Sequence, residues 1–201
     1  MPMRNRVTPM GDIVGIELRG AWLGNRGILH EDTEIVRFHR SSLWITCALR
    51  FRDWRLPQWT PHHFTVLFFH DEAVSFAAGH RPCALCRREA YNAYRAAWTA
   101  GLSVRQPLAK EMDRQLHAER LYRGTHRRRL HTASWPELPV GAFVRLDGQP
   151  ALVREDRVVP WTIHGYADPL PRPAAGTIEL ITPPSTVAAF RAGYRPQLAA
   201  P

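Results

Sequence analysis

"GHRPCALCRREAY", residues 79–91, decides how the rest of the chain is read. It sets His80, Cys83 and Cys86 at intervals of three, with Arg81, Arg87 and Arg88 around the two thiols. Zinc prefers four borderline or soft ligands in a tetrahedron, and a tight turn brings two thiolates separated by two residues to one side of the ion. "CALC" is therefore half of a metal site. Working outward, the only other cysteine is Cys47, in "LWITCALRF" (43–51), and ten histidines are available. His80 stands first as the fourth ligand because it precedes Cys83 by three residues, with His39, His62 and His63 as alternatives.

The same spacing admits a second chemistry. A Cys-x-x-Cys pair at the start of a helix, among arginines, gains a depressed thiol pKa and reads as a thiol oxidoreductase. Such pairs usually follow the strand of a βαβ unit. Here "DEAVSFAAG" (71–79) leads in with a helical period, Asp71 placed to cap it and Gly79 to stop it. That context favours metal over redox.

Upstream, "DIVGIEL", "TEIVRFH", "LWITCALRF" and "FTVLFF" are short, β-branched and aromatic, and read as strands of a small sheet, with "WLGNRG" (22–27) as a turn. Downstream, "RREAYNAYRAAWTAG" predicts a helix ended by Gly101, its Tyr91, Tyr94 and Trp98 spaced as a core face or a base-stacking one. A second helix follows in "LAKEMDRQLHAERLY". "THRRRLHTASWPELPVG" is basic and then proline-broken, and places a boundary near Ser134. Beyond it come a hairpin about Asp147-Gly148, a strand in "TIELITP" and a helix in "STVAAFRAG". The expected fold is α+β: a zinc-binding unit over residues 1–133, its N-terminal sheet stapled to helices by the ion, and a small β-rich unit over 134–201.

Charge singles out the same region. The net charge is +9, and Lys110 is the sole lysine among 27 basic residues. Residues 1–80 carry 9 basic groups against 8 acidic, residues 81–130 carry 12 against 4, and residues 131–201 carry 6 against 6. A general arginine bias would spread this excess, whereas nearly all of it lies in the helical segment that starts at the cysteines. That concentration predicts a polyanionic partner, DNA or RNA, met by Arg81, Arg87 and Arg88 and by Arg127, Arg128 and Arg129. Three cysteines make no disulfide framework, no apolar leader opens the sequence, and no apolar run approaches a membrane span of about 20 residues. The expectation is a cytoplasmic protein with no membrane partner.

The run "FFHDEAVSFAAGHRPCALCRRE" (68–89) resembles the metal-binding domain of the Ada-type DNA alkylation-repair regulators. Ala77, Ala78, Gly79, Arg81, Pro82, Cys83, Cys86 and Arg87 stand at the matching places, over about a tenth of the chain. The resemblance implies that Cys83 and Cys86 are zinc ligands, that Cys47 stands where the family's first cysteine pair comes in, and that the work concerns DNA repair or processing. The family has two cysteines in that first half, and this chain has one.

An enzymatic alternative also exists. Asp113 and His117 lie four apart on the second helix and so share a face, where a carboxylate can orient an imidazole as a general base. A hydrolase of nucleic acid, using that pair or an open position on zinc, is the corresponding expectation.

Overall fold

The computed structural model describes residues 2–53 and 57–199, so Met1, residues 54–56 and residues 200–201 of the two expected units lie outside the described residues. In chain order the first part comprises β1 (Arg6–Val7), β2 (Ile13–Val14), β3 (Trp22–Asn25), the hairpin of β4 (His30–Glu31) and β5 (Glu34–Ile35), β6 (Ile45–Cys47), β7 (Leu67–Phe69), α1 (Glu72–Ala77) and β8 (Arg81–Pro82). Next are α2 (Arg88–Leu102) and α3 (Ala109–Arg120). The rest is β9 (His131–Ser134), β10 (Phe143–Leu146), β11 (Gln149–Val153), β12 (Arg157–Thr162), β13 (Gly165–Tyr166), β14 (Leu170–Pro171), β15 (Thr177–Leu180) and α4 (Pro184–Arg191). The class is α+β, as the sequence predicts.

The N-terminal sheet has the order β2-β1-β7-β3-β6-β8. Its centre corrects the reading of "WLGNRG": Trp22–Asn25 is not a turn but a strand paired on both sides, with β6 and β7. Gly24 is required there because a Cβ would come within 2.5 Å of the Phe69 ring. At the sheet's edge β6 and β8 run parallel, with Ile45 opposite Arg81 and Thr46 opposite Pro82. The β6–β8 register carries the cysteines.

Asp71 caps α1 by accepting the Val74 N–H at 2.8 Å, as expected. Every residue of α1 is buried. The cap and the first residue of α1 bind the far end of the chain: Asp71 accepts from Tyr166 Oη (2.7 Å) and the Ala199 N–H (3.0 Å), and Glu72, which also pairs with Arg87, accepts from Tyr194 Oη (2.7 Å) and the Gln197 N–H (2.8 Å). One apolar cluster accordingly joins Val7, Leu67, Phe69 and Val74 to Phe143, Leu152, Trp161 and Ile181. The boundary expected near Ser134 falls at the end of β9, all four residues of which pair with β15. A division into residues 1–133 and 134–201 would cut both that strand and that core.

The hairpin about Asp147-Gly148 forms as predicted, with both residues at positive φ (48° and 83°) and Leu146 opposite Gln149. By contrast, Gly101 does not end α2, which runs on to Leu102 and closes on Ser103 at φ 52°. Gly101 instead lets α4 approach: a Cβ there would lie 2.3 Å from the Ala188 carbonyl oxygen. Tyr91, Tyr94 and Trp98 are buried with Phe76, Met112, Phe190 and Tyr194, so they form a core face and no stacking platform. Among the described residues no helix is long and apolar enough to cross a membrane.

Candidate metal centre

The three cysteines converge through backbone geometry. Cys47 ends β6, and the Cys83 N–H continues the parallel ladder by donating to the Thr46 carbonyl at 2.9 Å. The chain then turns tightly, Arg87 N–H bonding Cys83 O at 3.2 Å, and enters α2 one residue later. Cys86 is thereby folded back onto Cys83 and Cys47, and the three Sγ atoms lie within 4.8 Å of one another. Cys83 is buried and the other two are half-buried, all as free thiols.

Hydrogen bonds from the Cys47 and Cys86 thiols hold Cys83 well below the usual thiol range, helped by backbone N–H groups of Cys86 and Leu85. The Leu85 N–H reaches Cys83 Sγ at 3.4 Å. Cys47 is pushed up, first by its bonds to the Cys83 and Cys86 sulfurs and then by burial. Cys83 is accordingly the sulfur of the trio that gives up its proton most readily, and the thiolate is the form a metal binds. Three soft donors this close fit a thiophilic cation, zinc included, whose Zn–S distance is about 2.3 Å.

Among the described residues, which include every histidine, aspartate and glutamate of the chain, no histidine, aspartate or glutamate joins this cluster as a fourth ligand. Beside the sulfurs lies a cavity of about 320 Å³, lined by all three cysteines and by Leu23, Ile45, Phe64, Val66 and Phe68 among others.

His80, the expected fourth ligand, is elsewhere. Residues 80 and 83 flank a short strand at odd separation, so their side chains leave on opposite faces. His80 is fully buried against Phe69 and Trp44, and its Nε2 accepts from Arg26 Nε at 3.2 Å. Burial, with the nearby Arg26 and Arg120 charges, drives its pKa well below 6.5, so it is a neutral core histidine.

Several of the expected cationic contacts are also internal. Arg81 is buried and makes a two-pronged ion pair with Asp113, Nε to Oδ1 at 2.8 Å and Nη2 to Oδ2 at 2.9 Å. Arg87 is buried on Glu72 (2.6 Å), its guanidinium 3.8 Å from the centre of the Trp22 ring. Arg128, half-buried, donates to the Ala77 and Ile181 carbonyls. Arg88, Arg127 and Arg129 are exposed. With Asp113 held by Arg81, and His117 Nδ1 3.0 Å from Arg120 Nη2, the expected Asp113–His117 dyad does not form.

Sequence reasoning missed the residues that build this framework. Arg26 and Arg120 sandwich the Trp44 ring at 3.8 Å on either side, and both are fully buried. Nothing in "NRG" or "HAER" marks an interior arginine. No protein-family model matches the chain, and no curated protein and no solved structure matches it. The geometry alone defines the class, a protein with a three-cysteine site able to hold a metal ion.

Proposed function

We propose that this is a zinc protein, its ion held by Cys47, Cys83 and Cys86 with one coordination position left to a ligand from outside the chain. The observation that carries the reading is the convergence of all three cysteines of the sequence, from a strand and a distant turn, into one cluster. A redox pair needs only Cys83 and Cys86, so Cys47 argues for metal. The resemblance of residues 68–89 to the Ada-type zinc domain supports zinc as the ion, and a four-cysteine shell is excluded by composition. A zinc ion with an open position supplies Lewis acidity there, whereas a closed shell only braces the fold. Metal analysis of the purified protein tests this. One zinc per chain is expected, lost in Cys47→Ser and retained in His80→Gln; metal-free folded protein, or metal that follows His80, would overturn it.

A second reading, that the partner is DNA or RNA, is favoured by the cations left over. Of the twelve basic residues in 81–130, Arg88, Lys110, Arg114, Arg123, Arg127 and Arg129 are exposed, as is Arg105, which pairs with Glu111. Binding to a phosphate backbone falls with salt by a logarithmic slope of about 0.9 per contact. The double variant Arg127→Gln/Arg129→Gln is then expected to flatten that slope by about 2. Absence of binding to either nucleic acid at low salt would refute this reading and leave the metal centre standing.

A further inference from the structure

We propose that the fourth position of the three-cysteine centre is filled by an exogenous thiol with an apolar body, seated in the adjoining cavity. The proposal rests on the zinc reading above and adds to it the class of molecule bound.

Three observations lead there. The chain has spent every cysteine it owns, and among the described residues no histidine or carboxylate joins the cluster, so a four-coordinate ion must complete its shell from outside. The space for that ligand is present: the cavity of about 320 Å³ is lined by all three cysteines and falls in the size range of small-molecule sites. The walls then specify the body. Leu23, Ile45, Leu49, Phe64, Val66 and Phe68 present hydrocarbon. The polar wall residues Asn25 and Gln58 already use their carbonyl oxygens, accepting the Gly27 N–H at 2.8 Å and Asn5 Nδ2 at 3.1 Å. A charged or strongly polar body would lose most of its hydration there, with only the amide groups of Asn25 and Gln58 to replace it, and an alkyl or aryl body would gain by burial.

Sulfur is the matching head. An ion that three thiolates select is one for which a fourth soft donor completes a favoured tetrahedral set. On binding, the thiol gives its proton to solvent and its sulfur lone pair to the ion. The resulting charge is tempered by the Leu85 N–H, which donates to Cys83 Sγ at 3.4 Å.

Cobalt(II) loaded into the purified protein under anaerobic conditions reports both metal uptake and the donor set through its charge-transfer and ligand-field bands. Titration with ethanethiol through pentanethiol is expected to add sulfur-to-cobalt absorption, with affinity rising about fourfold for each methylene. 2-Mercaptoethanesulfonate is expected to bind more weakly than ethanethiol. Leu49→Trp, at an exposed position on the cavity wall, keeps the metal and lowers pentanethiol affinity at least tenfold. Uptake of cobalt with bands unmoved by pentanethiol, or a response equal for the sulfonate, or one given by N-butylimidazole and not by butanethiol, overturns the proposal while the metal reading stands. Failure to take up cobalt or zinc at all refutes the metal reading and the proposal with it.

Discussion

Replacing Arg81 with methionine strands a carboxylate. Asp113 is about as buried as its partner, their side chains 6% and 3% exposed, and the pair makes two parallel hydrogen bonds that tie α3 to β8. Removing one member of such a pair leaves an uncompensated interior charge and costs about 3–5 kcal/mol, whereas replacing both by apolar residues of similar volume is close to neutral. Arg81→Met is therefore expected to lose about 4 kcal/mol, and Arg81→Met/Asp113→Leu to recover most of that loss. With a urea dependence of about 3 kcal/mol per molar, the single variant's unfolding midpoint falls by about 1.3 M, read by tryptophan fluorescence. Because Arg81 lies two residues before Cys83, the single variant should also release metal to a chelator faster. A midpoint within 0.3 M (roughly 1 kcal/mol) of the parent, or a double variant no better than the single, would refute the buried-pair account. Such a result would return Arg81 to the surface role that its place in the basic segment first implies.

Other perturbations probe separate parts of the argument. Gly101→Ala puts a methyl group against the Ala188 carbonyl and should force α2 from α4 at a cost of about 1–3 kcal/mol, seen as a melting temperature several degrees lower; an unchanged value contradicts the close approach. His39 titrates at about 4 rather than 6.5, through burial first and then the charges of His117, His126, Arg120 and Arg26. Its unfolded form takes a proton near 6.5 that the folded form refuses until about 4, so stability is complete above that range and declines as pH falls through it. His39→Gln should flatten the decline between pH 6.5 and 4, and an unaltered pH profile from urea unfolding would count against it. Chelation should loosen the β6–β8 edge first, visible as faster amide exchange at Thr46 and Cys83, with exchange in β10 and β11 unaffected.

What the sequence reveals of this molecule follows the range of each interaction. Cys83 and Cys86 are legible because the ligand spacing is local, and Cys47 because the chain offers no other thiol. His80 misleads by the same nearness: three residues apart looks favourable on a turn, but a strand lies between and its alternation sends the ring into the core. Gly24 reads as a turn residue when its reason for being there is a ring from another strand. The contacts that cross the expected boundary near Ser134 are hidden for a similar cause, since those of Asp71 and Glu72 with Tyr166, Tyr194 and Ala199 span about a hundred residues and leave no local signal. Charge is the most deceptive quantity. Counting arginines finds the cluster in 81–130, yet Arg81, Arg87 and Arg120 are interior structural groups bonded to carboxylates, carbonyls and indole faces.

X-ray absorption at the zinc edge of never-chelated protein tests the central claim most directly. The account predicts stoichiometric zinc with three sulfur neighbours at about 2.3 Å from the chain itself. A shell of nitrogen and oxygen alone, or no zinc in fully folded protein, would contradict it.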